Sequence, residues 1–495
     1  MPMLRVAPWP TLAAIDAAPP VRSARPVPTD PRYRPDPQTP RLGGELFDAV
    51  TAASFPRHTL RFRHQRWAER IGLGALTPAE WTAHFARFEP LPGNLGTPLA
   101  LRYHGHQFRT YNPHLGDGRG FLFAQLRDPV DGRLLDLGTK GSGRTPWSRD
   151  GDGKLTLKGG VREILATEML EALGVYTSKS LSLFETGEAL VRSDEPSPTR
   201  SSVLVRLSHG HVRFGTFERL ATLGHTRALA ELCDFVRAHY FPEIEDSPTA
   251  VTQLFSAIGL RTATLCASWA AAGFVHGVLN TDNMNVTGES FDYGPWRFLP
   301  HFDPLFTAAY FDRSGLYAAG RQLEAVRWNL ERLAEALSPL CPRGRLERVL
   351  AGLEAGYLAE LAARVLGRLG VARRDPVSDA LLAARAFCFL QQSRLPFDRL
   401  FFDWYGGEVS APRAFASAVG AGYTGAAFLA FRRALDDRAP ARPEALSDPY
   451  FHGPGPTTMH LGEVERVWDD IAARDDWRAF DDKVTEVRAL GLRLR

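Results

Sequence analysis

The chain has 495 residues, of which 44% are hydrophobic and 23% are charged, a composition that supplies enough apolar material for a large globular core. The formal net charge of +3 is too small for a protein that binds nucleic acid through a basic face, so we expect no nucleic-acid partner. The 4 cysteines are widely spaced, which argues against both a disulfide framework and a zinc site and favours a reducing compartment.

The N-terminal region predicts an extended surface arm followed by short helices. Residues 1–45 are rich in Pro, Ala and Arg and show little periodicity, and they lack the continuous apolar run of a secretory signal. The most apolar stretch of the chain, residues 265–279, is too short to cross a bilayer. We therefore expect a cytoplasmic bacterial protein with no membrane partner, and among oligomeric states, which the sequence leaves open, we favour a monomer.

Strand and turn signals dominate the next part of the chain. Residues 120–126 and 133–139 flank the turn Asp-Pro-Val-Asp-Gly, and further strand patterns occur at 180–185 and 202–208. Between them, residues 159–173 have the apolar spacing of a helix that stops at Gly174.

Helical patterns dominate from residue 223 onward. We predict helices at 226–240, 247–272, 318–336, 343–368, 376–392, 413–435 and 461–490. A mixed first half and a helical second half predict an α+β, protein-kinase-like fold of two lobes. The predicted parts are an N-terminal arm with short helices (1–100), a nucleotide-binding N-lobe (101–218), a helical C-lobe with the catalytic loop (219–395) and a C-terminal helical extension (396–495).

The most informative string is His276-Gly-Val-Leu-Asn-Thr-Asp-Asn-Met284, followed by Asp292-Tyr-Gly. In kinase-type sites an Asn and an Asp from two such loops hold magnesium against nucleotide phosphates, which predicts Asn283 and Asp292 as metal ligands. Asp282 would then accept a proton from an attacking hydroxyl. Read alone, the same residues are also common turn formers, but the complete string favours a functional site.

The string departs from a kinase at one position. Two residues after the histidine, where such kinases carry their catalytic Asp, this chain has Val278. The sequence therefore predicts a site that binds Mg-ATP without the usual kinase base in the usual place.

Further candidates precede this string. Lys140 ends a predicted strand and Glu163 lies in the following helix, a pair that aims an ammonium group at nucleotide phosphates in kinase-like sites. The segment Leu115-Gly-Asp-Gly-Arg119 offers backbone amides and a guanidinium to an anion, although a plain turn explains it nearly as well. The His-x-His pairs at 104/106 and 209/211 are expected to be hydrogen-bonded buried histidines rather than zinc ligands.

These strings together resemble the selenoprotein O family, enzymes of pseudokinase fold described as protein adenylyltransferases. The matching strings, in order, are Gly105-His-Gln-Phe108, Leu115-Gly-Asp-Gly-Arg119, Lys140-Gly-Ser-Gly-Arg-Thr-Pro-Trp-Ser-Arg149, Gly151-Asp-Gly153, Val161-Arg-Glu163, Arg213-Phe-Gly-Thr-Phe-Glu218, Gly273–Met284, Asp292-Tyr-Gly-Pro295 and Trp328-Asn-Leu330.

The resemblance implies a role for each matching residue. It implies that Asp282 is the proton acceptor and that Asn283 and Asp292 are the magnesium ligands. The nucleotide contacts that it implies are Gly116, Gly118, Arg119, Lys140 with its partner Glu163, Asp152, Gly153, Arg206, Arg213 and Asp292. In that family the nucleotide is bound flipped relative to a kinase, which implies transfer of AMP rather than phosphate and accounts for Val278.

The implied function is transfer of AMP from Mg-ATP to a Ser, Thr or Tyr hydroxyl of a protein, with release of pyrophosphate. Manganese suits the same oxygen ligands as magnesium. Two other functions stay open, a kinase-like phosphotransferase of small molecules and a non-catalytic scaffold that binds ATP. Residues 395–495 match the family's signatures poorly, which predicts a divergent C-terminal part, and no Cys follows Cys388 to support a C-terminal redox motif.

Overall fold

The computed structural model describes residues 30–193 and 195–494. The predicted extended arm therefore lies largely outside the described residues. The strands are β1 (Phe47–Ala49), β2 (Thr59–Arg63), β3 (Leu99–Leu101), β4 (Gly105–Gln107), β5 (Thr110–Asn112), β6 (Leu122–Arg127), β7 (Leu134–Lys140), β8 (Leu155–Thr156), β9 (Lys179–Leu190), β10 (Thr199–Ser208), β11 (Phe274–Val275) and β12 (Arg297–Phe298).

The helices occupy most of the remaining chain. They are α1 (Gln65–Arg70), α2 (Pro78–Phe85), α3 (Leu157–Ala172), α4 (Phe214–Thr222), α5 (Thr226–Tyr240), α6 (Ala250–Ala272), α7 (Gln322–Leu337), α8 (Arg343–Ala351), α9 (Leu353–Leu369), α10 (Pro376–Ser393), α11 (Phe397–Asp403), α12 (Ala411–Ala416), α13 (Gly425–Leu435), α14 (Leu461–Arg474) and α15 (Arg478–Leu494). Across the described ranges, none of these helices is both long enough and apolar enough to cross a membrane.

An antiparallel sheet forms the centre of the first half of the chain. Its strand order is β1-β3-β6-β7-β10-β9-β2, and β8 pairs with β10. Every residue of β7 is buried because both faces of the sheet are covered. Leu135 and Leu137 face the core formed with α1 and α2, whereas Leu134 and Leu204 belong to the core around α3. The sheet therefore separates two apolar cores, and β7 also buries polar residues, among them Asp136 and Thr139.

The sheet begins earlier in the chain than the sequence predicts. Strands β1 and β2 lie within the segment predicted as an arm with short helices, and they pair with β3 and β9. Thr59–Arg63 does alternate polar and apolar residues, but a pattern of five residues predicts a strand only weakly, and pairing with β9 is what orders it in the sheet. The boundaries of the predicted lobes remain predictions. The boundary predicted between residues 218 and 219 lies within α4.

The predicted helices are confirmed in position, but three of them are divided. The helix predicted at 343–368 breaks at Gly352, and the one at 461–490 breaks at Asp475, which adopts a left-handed conformation with φ of 49°. The helix predicted at 413–435 is divided too, because α12 ends at Ala416 and α13 begins at Gly425, and the prediction is wrong between them, where Gly420–Gly422 forms a short 3₁₀ turn. Glycine lowers helix stability and permits the turns seen here.

The C-terminal helices pack against α3. Arg488 of α15 donates to both carboxylate oxygens of Glu168 at 2.8 and 2.6 Å, and Gly491 lies against Ala172. Lys158 of α3 pairs with Glu465 of α14 at 2.6 Å. The C-terminal extension thereby supports the helix that carries Glu163.

Candidate active site

A cavity of about 830 Å³ lies between the sheet and the helical part of the chain. Nine of the twelve residues predicted for the site line it: Gly116, Gly118, Arg119, Asp152, Gly153, Arg213, Asp282, Asn283 and Asp292. The other three, Lys140, Glu163 and Arg206, lie directly behind this wall and connect to it through Asp292. The structure therefore brings all twelve residues, which are spread over 177 positions of the sequence, into one region.

Asp292 is surrounded by four cations. Its Oδ1 atom lies 2.8 Å from Lys140 Nζ, 3.7 Å from an Arg206 nitrogen and 4.0 Å from an Arg119 nitrogen. Burial alone would raise the pKa of Asp292, but Lys140, Arg119, Arg206 and Arg213 outweigh burial and hold this pKa well below its usual range. Asp292 is therefore ionised at any physiological pH.

Lys140 also forms an ion pair with Glu163, the partner predicted on the next helix. Glu163 is 1% exposed, and its second carboxylate oxygen has no hydrogen-bond partner among the described residues. Lys140 is thus shared between Glu163 and Asp292, which fixes its ammonium group at the edge of the cavity.

Asp282 has the opposite electrostatic environment. Burial raises the pKa of Asp282 to about 7, although Arg213 acts to lower it. Its Oδ1 atom is buried and finds no hydrogen-bond partner in the described ranges. The pKa values of the two carboxylates are thus displaced in opposite directions. Asp292 is suited to remain an anion, whereas Asp282 is suited to take up and release a proton.

The loop that carries Asp282 is held on two sides. Thr281 donates its hydroxyl hydrogen to Glu218 at 2.6 Å and accepts from the backbone N–H of His106 at 2.7 Å. Arg213 donates to the carbonyl oxygen of Asp282 at 3.1 Å and to Asp117 at 3.1 Å. The Asp282 side chain therefore projects from a rigid turn.

His276 positions the other acidic residue. Its Nε2 atom is 3.0 Å from the carbonyl oxygen of Phe291, and because burial lowers the pKa of His276, the neutral ring donates this hydrogen bond. The next residue, Asp292, has a φ of 61°, in the left-handed region that few residues other than glycine adopt. The histidine of the sequence string thus holds a strained backbone that directs the Asp292 carboxylate toward the cations.

The residues around Asp292 provide a donor set for a divalent cation. Asn283 lies beside Asp292, with its amide nitrogen 3.2 Å from Asp292 Oδ2. Rotation of that amide would present a second hard oxygen next to the carboxylate, which is the ligand type that magnesium and manganese prefer. The two residues therefore fit a shared metal ion.

The glycine-rich segments form the opposite wall of the cavity. A Cβ atom at Gly116 would overlap the Trp147 ring, and one at Gly118 would lie 2.7 Å from the Trp147 carbonyl oxygen. Only glycine allows the two loops to approach so closely. Asp152, predicted as a nucleotide contact, is paired with Arg192 at 2.8 Å at the rim.

Several residues in or directly behind the cavity wall were not predicted from the sequence. Tyr103 lies beneath Arg213, whose guanidinium carbon is 4.3 Å from the ring centroid, and Asp117 pairs with the same arginine. Trp147 and Arg192 also line the cavity. Asp117 belongs to the motif Leu115–Arg119 and Trp147 to the motif Lys140–Arg149, both of which were recognised in the sequence. Their positions within these motifs could have identified them as site residues.

The paired histidines are hydrogen-bonded, as predicted. His106 Nδ1 is 2.7 Å from Glu218, His209 Nδ1 is 2.6 Å from the Tyr176 hydroxyl, and His211 Nδ1 is 3.2 Å from Asp136. His104 Nδ1 contacts the Tyr111 hydroxyl at 2.5 Å. Among the described residues, neither pair belongs to a group with metal-ligand spacing.

Comparison with known proteins identifies the family. The family model described as protein adenylyltransferase SelO matches residues 32–488. The chain belongs to the SelO family. The match extends to residue 488 and so includes most of residues 395–495, where the sequence predicts a divergent C-terminal part.

The curated relatives carry a broader name. The chain is 46% identical over 471 residues to the protein nucleotidyltransferase YdiU of Gloeobacter violaceus, covering 92% of this chain and 94% of the relative. It is 43% identical over 470 residues to the protein of the same name from Synechocystis, covering 92% and 98%. The likeness to SelO proteins therefore extends over nearly the full length of both chains.

Proposed function

We propose that this SelO-family chain transfers AMP from Mg-ATP to a Ser, Thr or Tyr hydroxyl of a protein and releases pyrophosphate. The observation that carries the proposal is the pair of carboxylates in one cavity, Asp292 held ionised by cations and Asp282 with a pKa near 7. Family membership supports the same activity. The name of the relatives, protein nucleotidyltransferase, is compatible with it.

A two-lobe, protein-kinase-like fold is part of this proposal. In support, Lys140 ends a central strand, Glu163 lies on the helix packed against that sheet, and the Asp282 loop follows the long helix α6. This order of elements is the one in which kinases assemble their nucleotide site. The sheet would form the N-lobe and the helices from α5 onward the C-lobe.

The cations would bind the phosphates of ATP. Lys140, Arg206 and Arg119 already converge on Asp292, so a triphosphate entering the cavity finds three positive groups on one side. A magnesium or manganese ion held by Asn283 and Asp292 would neutralise negative charge that builds on the leaving pyrophosphate. Arg213 is 5% exposed and is fixed by Asp117, so it contributes a constant positive field near the same point.

Asp282 would take the proton in the chemical step. The acceptor hydroxyl oxygen attacks the α-phosphorus, the bond from that phosphorus to the bridging oxygen of the β-phosphate breaks, and pyrophosphate leaves with the bonding electrons. The hydroxyl proton passes to Asp282, whose raised pKa makes it a better base than an ordinary aspartate. Val278 cannot take this role because its side chain holds no proton acceptor.

Labelled ATP tests the proposal. ATP carrying label at the α-phosphate or at the γ-phosphate would be incubated with candidate acceptor proteins and with wild type, Asp282→Asn or the matched control Asp150→Asn, which lines the same cavity. We expect protein label only from the α-position, a large loss in Asp282→Asn and little change in Asp150→Asn. Label from the γ-position would make the protein a phosphotransferase, and ATP binding without any labelled product would make it a scaffold.

A further inference from the structure

An exposed apolar surface lies beside the mouth of the candidate active site. It consists of Phe108, Tyr310 and Phe311, which we call the apolar platform. Tyr310 is 81% exposed, and Phe311 and Phe108 are 47% and 37% exposed. The ring centroids of Phe108 and Phe311 are 5.9 Å apart, and those of Tyr310 and Phe311 are 5.1 Å apart. Exposed apolar clusters of this kind commonly mark interaction sites.

The hairpin that carries Phe108 is strained. Strands β4 and β5 pair with Gln107 opposite Thr110, so Phe108 and Arg109 form a two-residue turn. Both have positive φ angles, 50° and 63°, a conformation for which Asn-Gly is the usual choice. A large aromatic residue in that position costs conformational energy, and strained backbone of this kind is concentrated at functional sites.

The platform is coupled to the catalytic loop through one side chain. Asn280 Oδ1 accepts from the backbone N–H of Phe108 at 3.1 Å and from the Tyr317 hydroxyl at 2.7 Å. The Phe108 ring also packs against Tyr317, with centroids 5.1 Å apart. Asn280 stands two residues before Asp282, so the platform and the proton acceptor are held by the same loop.

The distance to Asp282 suits a polypeptide. Gly105 lies directly against Asp282, since a Cβ atom at Gly105 would be 3.2 Å from Asp282 Oδ1. Two residues lie between Gly105 and Phe108, so the three steps of chain from one to the other span about 10 Å at most. A substrate that places its hydroxyl at Asp282 therefore reaches the platform within about three residues of an extended segment.

We propose that the apolar platform binds an aliphatic or aromatic side chain of the acceptor protein, within about three residues of the hydroxyl that receives AMP. The nucleotide has a separate place, since the cavity is lined by glycines and charged groups that suit phosphates, whereas the platform is apolar and lies outside it. The platform is continuous with the side of the cleft that carries Asp282. A segment of the acceptor protein next to the reacting hydroxyl is therefore the group that would occupy it. This inference rests on the proposed AMP transfer and adds the sequence preference of the acceptor.

A peptide library tests the inference. Peptides with a fixed central Ser, Thr or Tyr and random flanks would be incubated with α-labelled ATP and magnesium, and the labelled products sequenced. We expect enrichment of Leu, Ile, Met or Phe at one position within three residues of the acceptor. A chosen Leu peptide and its Ala counterpart would then be compared as substrates of wild type, Tyr310→Ser, Phe311→Ser and the control Val377→Ser, an exposed apolar residue on α10.

The platform variants should lower kcat/KM for the Leu peptide about tenfold, mainly through KM, and should leave the Ala peptide and ATP affinity unchanged. Serine at the highly exposed position 310 should not impair folding, which a thermal melt checks. Labelling without positional preference, or a preference that survives in both variants, would overturn this inference but not the proposed function. If the variants lose a dimer but keep the sequence preference of the acceptor, the platform is a self-association surface, which would also overturn this inference. Failure of wild type to yield any AMP–protein product would count against the proposed function itself.

Discussion

Replacing Lys140 with methionine should destabilise the protein more than replacing its partner Glu163 with glutamine. The two changes break the same ion pair, but they leave different groups behind. Without Lys140, Glu163 is a carboxylate that is 1% exposed and has no other described partner. Without the carboxylate of Glu163, Lys140 still pairs with Asp292 at 2.8 Å.

The magnitude follows from the cost of a buried unpaired charge. Removing one member of a buried ion pair typically costs about 3–5 kcal/mol. Uptake of a proton limits the cost, because protonating a glutamate of ordinary acidity at pH 7 requires about 3.7 kcal/mol. We therefore expect Lys140→Met to lose about 3–4 kcal/mol at pH 7 and Glu163→Gln to lose about 1–2 kcal/mol.

Urea unfolding followed by circular dichroism measures these differences in buffer without nucleotide or divalent metal. The deficit of Lys140→Met should shrink by about 2.7 kcal/mol between pH 7 and pH 5, since proton uptake becomes easier by that amount. The double variant Lys140→Met/Glu163→Gln should be more stable than Lys140→Met alone. As a control on the same helix, Lys158→Met breaks a pair with Glu465 whose side chains are 21% and 38% exposed, and it should cost less than about 1 kcal/mol.

Three results would refute this reasoning. Equal losses in Lys140→Met and Glu163→Gln would mean that Asp292 gives Lys140 no separate support. A double variant no more stable than Lys140→Met would mean that the unpaired carboxylate is not the source of the cost. A deficit that does not change with pH would exclude proton uptake by Glu163.

Further predictions concern the site and its glycines. Because burial raises the pKa of Asp282 to about 7, the metal-free protein should lose stability as the pH rises from about 4 through 7. In urea unfolding at pH 8, Asp282→Asn should therefore be more stable than wild type by more than about 1 kcal/mol. Equal stability of the two proteins at that pH would contradict this prediction. Asp292→Asn should abolish the metal dependence of ATP binding in calorimetry, whereas unchanged enhancement by magnesium would remove Asp292 from the ligand set. Gly116→Ala should displace the Trp147 ring, weaken ATP binding about tenfold or more and alter tryptophan fluorescence, and normal binding would show that this wall does not contact nucleotide.

The chemically specific residues were predictable because they lie in short strings whose spacing is set locally. Asn283 and Asp282 share one turn, and Lys140 ends a strand that follows the turn signal Asp-Pro-Val-Asp-Gly. The long helices were predictable for a similar reason, since their apolar periodicity extends over many turns. The helix boundaries at Gly352 and Asp475 were not predictable. The apolar pattern continues across each break, so it does not indicate that the chain changes direction there.

The sequence by itself determined which residue types are available for the site, their order, and the family to which the chain belongs. Only the tertiary structure decided that Asp282 and Asp292, ten residues apart with the same chemical group, have pKa values displaced in opposite directions. The difference arises because Asp282 is buried with an unpaired oxygen, whereas Lys140, Arg119 and Arg206 reach Asp292 from distant parts of the chain. Electrostatic environment depends on distances in space, and those distances are fixed only when the sheet and the helices pack together.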